Sequence, residues 1–456
     1  MPKNTAITRK EDTMHRLAAL TLLAALPLAA AQEDPWAEVD PSGQTVTFWH
    51  QHSGEREEAL NDLIADFNET NAYGITVEPL YQGSYGDIFN QMLVRLGTPD
   101  VPDLVVAYQN QAATYALADG LIDMNSLVES PTWGFSEEEV ADFFPGFWEQ
   151  DVFPTFGGAR FGLPPNRSLE VMYYNADWLA ELGYDGPPET PEAFREIACA
   201  AAETPFSGAT GSGSLGYQLS LDASRFASFT FAFGGDIYDD ESNRYTYDDP
   251  AAVEAMTFLQ ELIQDGCAST VTERFGDQTD FGAGTLMFTV GSSSGLPFYA
   301  SAVSEGAGHD WSVAAIPHVT PEPVMNLYGA SVSMPDTGSL ERQLATWVFL
   351  KYYTSPDVQA EWALRSNYFP ARISAAESEL IQQEFENNPT YETAFNLLQY
   401  ATAEPPTPGY DFVRDLVATA MAEIAAGADV ESTLTALNEE ANAILDEQLA
   451  EMAAAQ

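Results

Sequence analysis

The sequence predicts an α/β protein built from more than one domain, and two observations support that fold class. The chain has 456 residues, a length that suits two or three domains. Predicted strands alternate with predicted helices over residues 45–107, and the third strand, residues 104–107, is apolar throughout. A strand that is apolar on both faces is typical of a parallel sheet with helices packed on each side.

Hydrophobic periodicity defines the first alternating unit. Residues 45–49 alternate polar and apolar side chains as a strand does, whereas residues 57–68 carry apolar side chains at helical spacing. A second strand at 75–77 and a second amphipathic helix at 88–96 follow. Ligands bind beyond the carboxyl ends of the strands in sheets of this kind, so we expect a binding site at that edge.

The remainder of the chain continues the mixture of strands and helices. Helix-start signals containing proline precede two of the predicted helices. Strands are predicted at 170–174, 285–290, 311–316 and 331–334, and helices at 192–202, at 251–264 and over most of the chain from 340 onward. No internal repeat of roughly 20–50 residues is visible, which excludes solenoid and propeller folds.

Acidic residues dominate the charge of the chain. It carries 69 Asp and Glu against 17 Lys and Arg, for a formal net charge of −52 at pH 7. Nucleic acid and anionic membrane surfaces would repel such a protein, so we expect neither as a partner. Hydrophobic residues make up 45% of the chain, enough for a substantial core. The acidity therefore belongs to the surface of a folded protein.

The N-terminus has the pattern of a secretory signal peptide, which we assign to residues 1–31. Arg16 precedes an apolar run over residues 17–28, and three alanines at the end of the segment form a small-residue cleavage site. The apolar run is too short to span a bilayer. We therefore expect an exported protein, periplasmic or extracellular, in which residues 32–44 form a Pro- and acid-rich linker.

Cys199 and Cys267 are the two cysteines of the sequence. In an oxidising compartment an even pair predicts one disulfide, and two separate buried thiols are the alternative. Two cysteines are too few for a structural zinc site. His50 and His52 would need further ligands to hold a metal, so we expect no metal and no cofactor.

Polar and aromatic residues cluster directly after predicted strands, at 83–85, 108–110 and 291–295. Small residues let backbone N–H groups approach a ligand, and aromatic rings stack on sugar faces, so these loops predict a small-molecule site. The sequence contains no nucleophile-elbow, P-loop, H-E-x-x-H or dinucleotide-binding motif. We expect a binding protein rather than an enzyme, with a secreted glycoside hydrolase or polysaccharide lyase as the alternative.

A series of short motifs runs through nearly all of the chain after residue 31: Thr47-Phe48-Trp49-His50, Tyr81-Gln82-Gly83-Ser84-Tyr85, Leu163-Pro164-Pro165-Asn166-Arg167-Ser168, Tyr328-Gly329-Ala330-Ser331 and Asn367-Tyr368-Phe369-Pro370. Taken in order, these motifs resemble those of the family 1 extracellular solute-binding proteins of ABC transporters. The subgroup that they resemble most binds glycerol 3-phosphate and glycerophosphodiesters.

The resemblance implies a two-lobe periplasmic binding protein fold (type II) of the α/β class, hinge-linked and with an interlobe ligand cleft. The chain would cross between lobes near Ser168, return within 311–316 and cross again near Tyr368. The implied boundaries are lobe one, residues 45–168 plus 312–366, and lobe two, residues 169–311 plus 367–456.

The implied function is that of the substrate-binding component of an ABC importer. Such a protein, expected here as a monomer, captures a carbohydrate, glycerol 3-phosphate or a glycerophosphodiester between its lobes and delivers it to an ABC permease in the membrane. The negative charge of the chain repels phosphate at long range, although physiological salt screens that field beyond about 8 Å. A phosphate ligand and a neutral sugar therefore both stay open.

The resemblance also implies ligand-binding residues: Tyr85, Gln109, Ser168, Ser292, Ser293, Ser294, Gly329, Tyr368 and Arg414. Hydroxyl groups and a glycine N–H can donate to phosphate or sugar oxygens, and Arg414 would supply a bidentate charged fork. Gln109 stands where the subgroup has glutamate. Arg167, beside Ser168, would add a second cation to the cleft.

Overall fold

The computed structural model describes residues 34–455, so the predicted signal peptide at 1–31 lies outside the described residues. Residues 34–44, predicted as linker, pack on the first lobe. The Trp36 side chain is buried there, and its indole Nε1 donates to Ser126 Oγ at 3.2 Å. The segment is therefore part of the lobe rather than a free linker, because a buried tryptophan anchors it.

Two main sheets organise the described chain, with helices packed on them. The strands are β1 (Thr45–His50), β2 (Thr76–Tyr81), β3 (Leu104–Ala107), β4 (Val152–Phe153), β5 (Ala159–Arg160), β6 (Ser168–Asn175), β7 (Leu215–Leu219), β8 (Tyr238–Asp239), β9 (Arg244–Tyr245), β10 (Ala268–Thr270), β11 (Leu286–Ser292), β12 (Trp311–Ala314), β13 (Met325–Tyr328), β14 (Ser331–Ser333) and β15 (Ala401–Ala403).

The helices surround these sheets. They are α1 (Glu55–Thr70), α2 (Tyr85–Leu93), α3 (Gln109–Leu117), α4 (Asn125–Val128), α5 (Glu137–Ala141), α6 (Pro145–Glu149), α7 (Ala176–Glu181), α8 (Pro191–Glu203), α9 (Ala223–Ala232), α10 (Pro250–Gln264), α11 (Gly276–Gly282), α12 (Leu296–Glu305), α13 (Leu340–Tyr353), α14 (Pro356–Ser366), α15 (Ile373–Ala376), α16 (Glu379–Asn387), α17 (Pro389–Asn396), α18 (Tyr410–Ala425) and α19 (Val430–Ala455). Within residues 34–455, none of them is both long and apolar enough to cross a membrane.

The first sheet forms the centre of lobe one and has the strand order β14-β3-β1-β2. β1 runs parallel to β2 and β3, whereas β14 joins antiparallel beside β3. Every residue of β3 is buried, as its apolar sequence predicts. Helices α1 and α13 pack on the sheet, and Phe48, Phe67 and Trp347 lie in the core that they share.

The second sheet forms the centre of lobe two, with the order β10-β7-β11-β6-β13-β15 and β12 also paired to β6. β6 has eight residues and runs antiparallel to β11, β12 and β13. Two core clusters contain side chains of this strand: Met172 belongs to one and Tyr173 to the other. β6 is therefore the strand that holds the second lobe together.

The return crossing to lobe one lies later in the chain than the sequence predicted. We expected residues 312–328 in lobe one, but β12 and β13 both pair with β6 in the second sheet. β6 is long enough to pair with β12 through residues 172–175 and with β13 through residues 168–169. The chain therefore stays in lobe two until Gly329, and lobe one resumes with β14.

The three crossings meet around Arg167. Its backbone N–H donates to Phe369 O at 3.2 Å, and the Phe369 N–H donates to Arg167 O at 2.8 Å. Gly329 lies against the same residue with a φ of +148°, and a Cβ at Gly329 would come within 3.2 Å of Arg167 Cα. A glycine is needed here because both the close approach and the positive φ disfavour a side chain.

Cys199 and Cys267 are joined by a disulfide, with their Cα atoms 4.5 Å apart. Cys199 lies in α8, and Cys267 immediately precedes the edge strand β10. The bond therefore ties a covering helix to the edge of the second sheet.

Reduction of this disulfide is expected to destabilise lobe two. The two cysteines are 68 residues apart in sequence, and releasing a loop of that length lowers the free energy of unfolding by about 2–4 kcal/mol. Guanidinium denaturation with and without dithiothreitol measures the change. The double variant C199S/C267S is the control. Its unfolding midpoint should equal that of the reduced protein and should not change when dithiothreitol is added. Equal midpoints for oxidised and reduced wild type would contradict the prediction.

Candidate ligand site between the lobes

A cavity of about 330 Å³ lies between the two lobes. The starts of α2 and α3 line it from lobe one, at the carboxyl edge of the first sheet, where a parallel sheet is expected to place a ligand. The start of α9, the end of β13 and the start of α18 line it from lobe two. The lining includes Tyr85, Tyr108, Gln109, Asn110, Ser224, Tyr328, Glu404, Tyr410, Asp411 and Arg414.

Two capped helix N-termini form the lobe-one wall. At the start of α2 the Asp87 N–H donates to Ser84 Oγ at 3.2 Å, and the Ser84 N–H donates to the Asp87 carboxylate at 2.8 Å. At the start of α3 the Tyr108 N–H donates to Gln111 Oε1 at 3.0 Å. These caps fix the first turns and bring the Tyr85 and Tyr108 rings to 4.8 Å between centroids. Burial raises the pKa of both phenols, so each presents a neutral hydroxyl.

Gln109 is buried and holds the hinge with its amide nitrogen. Its Nε2 donates to Asp151 Oδ1 at 3.2 Å and to Ser331 Oγ at 3.1 Å. Both partners accept, so the amide N–H groups are used inside the protein, and Oε1 is the atom of this side chain left to accept from a ligand. Glutamate could not replace Gln109 here without placing two carboxylates together.

Arg167 does not lie in the cleft, so the expectation that it would add a second cation there is wrong. Its side chain is 0% exposed, and its Nη2 lies 3.2 Å from Asp151 Oδ2. The same nitrogen donates to Ser331 Oγ at 2.8 Å, and Nε donates to Gln150 Oε1 at 2.7 Å. Asp151 thus neutralises the charge of Arg167 within the hinge. Local sequence did not predict this pair, because the two residues are 16 positions apart in the chain.

Arg414 does line the cavity, paired with Glu404. Its Nη1 donates to Glu404 Oε2 at 2.7 Å, and its Nη2 donates to Ser224 Oγ at 3.0 Å. The Tyr410 hydroxyl also donates to Glu404 Oε2, and Asn326 donates to Oε1. Burial opposes ionisation of Glu404, but Arg414 and these hydrogen bonds outweigh it and hold its pKa below the usual value. The cavity therefore contains an ion pair and not a free cation.

Asp411 connects the two walls. It belongs to α18 of lobe two and accepts hydrogen bonds from the amides of Asn110 and Gln111, in the first turn of α3 of lobe one. Burial raises the pKa of Asp411 to about 6, although the Gln111 hydrogen bond and Arg414 act in the opposite direction. This carboxylate is both an interlobe contact and a group that titrates near neutral pH.

Three of the predicted ligand residues, Ser292, Ser294 and Tyr368, lie outside this cavity. Ser292 and Ser294 line a second interlobe cavity of about 730 Å³. Tyr368 is buried beside Arg56, whose guanidinium carbon lies 4.8 Å from the centre of the Tyr368 ring.

Ser168, Ser293 and Gly329 also lie outside the first cavity and have structural partners. Ser168 Oγ donates to the carbonyl of Tyr328 at 3.1 Å, and Ser293 Oγ accepts from the N–H of Leu169 at 3.1 Å. Gly329 forms the crossing beside Arg167. The structure thus brings Tyr85, Gln109 and Arg414 together, while roles for the other predicted residues in ligand binding stay predictions.

Glu404, Asp411 and Ser224 were missed by sequence reasoning. The chain has 69 acidic residues, so composition singles out neither carboxylate. The proline-rich break after Glu404 was the available signal, because breaks between helices near a sheet edge are where site residues concentrate. Within residues 34–455, no group of three or more His, Cys, Asp or Glu side chains is arranged to hold a metal ion.

Two lobes on separate sheets, three crossings and a polar cleft between the lobes define a two-lobe solute-binding protein of the type II fold. The family model for bacterial extracellular solute-binding proteins matches residues 62–393, and the chain belongs to that family. The predicted family and the predicted function, the substrate-binding component of an ABC importer, are thereby confirmed. Members of this family are extracellular or periplasmic.

Similar proteins agree with this assignment. The sn-glycerol-3-phosphate-binding periplasmic protein UgpB of Escherichia coli K12 is 23% identical over 358 residues, which cover 77% of this chain and 79% of the relative. The GacH receptor of Streptomyces glaucescens superposes with a TM-score of 0.75 at 18% identity, over 89% of this chain and 99% of that one. UgpB of Mycobacterium tuberculosis gives 0.75 at 22%, over 89% and 99%. These relatives are binding proteins, and the structures confirm the predicted fold.

Replacing Gln109 with glutamate is expected to destabilise the protein. The N–H groups given to Asp151 and Ser331 are lost, and a buried carboxylate faces the Asp151 carboxylate, so the free energy of unfolding should fall by about 1–3 kcal/mol. Urea denaturation at pH 8 measures this. Gln399→Glu is the control, because its exposed amide donates to a backbone carbonyl, and a change within about 0.5 kcal/mol is expected there. A Q109E protein as stable as wild type would count against the network.

Acid is expected to favour the closed arrangement of the lobes. In this arrangement burial raises the pKa of Asp411 to about 6, whereas an exposed aspartate in separated lobes has a pKa of about 3.9. The arrangement with the higher pKa binds the proton more tightly, so it gains population as the pH falls through 6, by about tenfold in total between pH 8 and pH 5.

Small-angle X-ray scattering of the ligand-free protein across that pH range measures the closure. Asp411→Asn is neutral at every pH, so the variant should lose the pH dependence while keeping a side chain of the same shape. Opening of the wild type on acidification would contradict the expected direction of the effect.

Proposed function

We propose that this protein captures a carbohydrate between its lobes and delivers it, chemically unchanged, to an ABC permease in the membrane. Export would be directed by residues 1–31. Tyr85, Tyr108 and the Gln109 carbonyl would contact the ligand from lobe one, and Arg414, Glu404 and Ser224 would contact it from lobe two.

The pairing of Arg414 with Glu404 is the main observation in favour of a carbohydrate ligand. Among the described residues that line the cavity, Arg414 is the single cation, and Glu404 Oε2 lies 2.7 Å from its Nη1. Asp411 adds a further carboxylate. A phosphate placed here would meet two carboxylates and one neutralised arginine, whereas neutral hydroxyl groups can both donate to the carboxylates and accept from the phenols and the guanidinium. The first cavity therefore favours a neutral, hydroxyl-rich group.

The similar proteins are described with ligands of different charge and do not fix the charge of this ligand. The GacH receptor is described in complex with acarbose, the E. coli relative is named for sn-glycerol 3-phosphate, and the M. tuberculosis structure contains glycerophosphocholine. The proposal for this chain rests on its own cavity.

Closure explains how ligand binding would be signalled to a permease. Asp411 already joins α18 to α3, and Arg56 of lobe one donates to the carbonyl of Ser294 in lobe two. A ligand that touches both walls adds contacts that exist in the closed arrangement alone, so it shifts the population toward that arrangement. The closed form is then the form that a permease would distinguish.

A second candidate ligand carries a trimethylammonium group. Four tyrosines and two carboxylates line the first cavity: Tyr85, Tyr108, Tyr328, Tyr410, Glu404 and Asp411. Aromatic faces combined with negative charge are suited to a quaternary ammonium ion. A choline-containing ligand would therefore contact the same tyrosines and carboxylates, but through cation–π and charge interactions instead of hydrogen bonds to hydroxyl groups.

Titration calorimetry of the protein lacking residues 1–31 tests the proposal. Maltose, maltotriose, glucose, choline, glycerophosphocholine and glycerol 3-phosphate form the panel, and chromatography of the released ligand tests for chemical change. We expect at least one neutral saccharide to bind with one-to-one stoichiometry and to be recovered intact. Binding of glycerol 3-phosphate alone would overturn the carbohydrate proposal, and a hydrolysed product would reveal an enzyme.

Substituting Arg414 separates a neutral from a phosphate ligand. Arg414→Gln leaves the buried Glu404 carboxylate without its cation, so affinity for every ligand should fall by about tenfold or more. Arg244→Gln is the matched control, because Arg244 is exposed and paired with Asp446 outside both cavities. Complete loss of phosphate ligands with unchanged saccharide affinity would assign Arg414 to phosphate instead.

A further inference from the structure

The second interlobe cavity has a different charge from the first. It measures about 730 Å³ and lies between the start of α1 in lobe one and the region from β10 to α12 in lobe two. Three arginines line it: Arg56, Arg225 and Arg274. The chain has 12 arginines after residue 31, so a quarter of them meet at one cavity.

Two of these arginines have no carboxylate partner among residues 34–455. Arg225 is paired with Glu170, whose Oε2 lies 2.6 Å from its Nη1. No carboxylate of the described chain lies within 4 Å of the nitrogens of Arg56 or Arg274, although the sequence holds 69 acidic residues. Asp277 also lines the cavity, where its Oδ2 accepts from Thr289 and Tyr299, and its single negative charge is outnumbered by Arg56 and Arg274. The cavity thus retains positive charge.

Arg56 is held in place by backbone carbonyls and aromatic rings. Its Nε donates to Ser366 O at 2.8 Å, and its Nη2 donates to Ser294 O. Its guanidinium carbon lies 4.8 Å from the Tyr368 ring centre and 5.1 Å from that of Phe298. These contacts use one hydrogen on Nε and one on Nη2, so three N–H groups of the five stay available to an acceptor.

Arg274 lies against Phe275 on the opposite side of the cavity. The guanidinium carbon is 4.9 Å from the centre of the Phe275 ring. Phe275 is 60% exposed and has a φ of +62°, a conformation that is rare for a bulky residue and that is enriched at functional sites. An exposed aromatic ring in a strained backbone, beside an unpaired arginine, is an arrangement suited to a ligand rather than to the core.

The two cavities share a wall. Ser224 lines the first cavity and the next residue, Arg225, lines the second. The side chain of Ser292, which lines the second, faces the Tyr328 phenol, which lines the first. A ligand long enough to enter both cavities would therefore meet both environments.

We infer that the second cavity binds an anionic group of the ligand, a phosphate, sulfate or carboxylate, through Arg56 and Arg274. This inference rests on the proposed function and extends it: the hydroxyl-rich part of the ligand occupies the first cavity, and its acidic group lies in the second. The guanidinium forks bind the oxyanion. The hydroxyls of Ser292 and Ser294 are hydrogen-bonded to each other, so the one whose proton is not used in that bond donates to the oxyanion. The exposed Phe275 ring covers the adjoining sugar or glycerol carbons.

Matched neutral and acidic compounds test this inference by calorimetry. Glucose is compared with glucose 6-phosphate, glucose 6-sulfate and glucuronate, which distinguishes the source of the negative charge. Choline, a cation, is compared separately with glycerophosphocholine, which adds a phosphodiester anion. Inorganic phosphate is titrated alone. The variants are Arg274→Gln, Arg56→Gln and Arg274→Lys, with Arg244→Gln as the surface control.

We expect the acidic member of a pair to bind wild type at least about tenfold more tightly than its neutral partner. Arg274→Gln and Arg56→Gln should each remove most of that difference and weaken inorganic phosphate. Arg274→Gln should also leave the neutral partner within about twofold, whereas Arg56→Gln also loses the interlobe contact with Ser294 and is judged by the difference alone. Arg274→Lys should keep an intermediate preference, because it keeps the charge and loses the fork. Arg244→Gln should behave as wild type.

The two proposals fail in different ways. If neutral compounds bind and acidic ones gain nothing, or if the gain survives in R274Q and R56Q, the inference about the second cavity is overturned and the proposed function stands. If inorganic phosphate binds in an Arg274-dependent manner while no saccharide or choline compound binds, the second site stands and the proposed function fails. Absence of all binding, phosphate included, overturns both.

Discussion

The buried ion pair between Arg167 and Asp151 is the contact on which the two-lobe arrangement depends. Both side chains are at most 1% exposed, and their charged atoms lie 3.2 Å apart. Arg167 begins the first crossing, pairs through its backbone with Phe369 at the third, and contacts Ser331 next to the second. Removing one partner of a buried pair typically costs about 3–5 kcal/mol, because the remaining charge has no counterion. Separation of the three crossings would break this pair, so the pair opposes it.

This use of Arg167 determines what the cleft can bind. A guanidinium held by Asp151 inside the hinge contributes no charge to a ligand, and Gln109 spends its amide nitrogen on the same carboxylate. Recognition in the first cavity then falls to Arg414, which Glu404 neutralises. The first cavity thus recognises its ligand by hydrogen bonding rather than by net charge. Recognition of an anionic group by arginines belongs to the neighbouring cavity.

Local patterns in the sequence were sufficient for the fold class and for much of the lobe-one wall. The helix after Thr190 begins where its start signal places it, because the Thr190 hydroxyl caps the first turn at 3.3 Å from the Ala193 nitrogen. Tyr85 and Gln109 could be predicted because each follows a parallel strand. The boundary at 312 could not, since β12 and β13 are short strands whose pairing with β6 depends on the length of β6. Glu404 could not be predicted as a site residue either, because what distinguishes it from the other carboxylates is its ion pair with Arg414.

The acidity of the chain makes its arginines unusually informative. Any arginine on a surface with 69 carboxylates in the sequence has many potential partners, so an unpaired guanidinium is a departure that needs a cause. For Arg95 and Arg160 the cause is aromatic stacking. Their guanidinium carbons lie 4.9 Å from the Trp49 ring centre and 3.8 Å from the Trp148 ring centre, respectively. Arg56 and Arg274 stack as well, but Phe298 beside Arg56 and Phe275 beside Arg274 are exposed rings that border a cavity. Two guanidinium groups without a paired carboxylate border that cavity, and Asp277 is the single carboxylate among its described lining residues. An excess of positive charge of this kind is what a binding site for an anion requires.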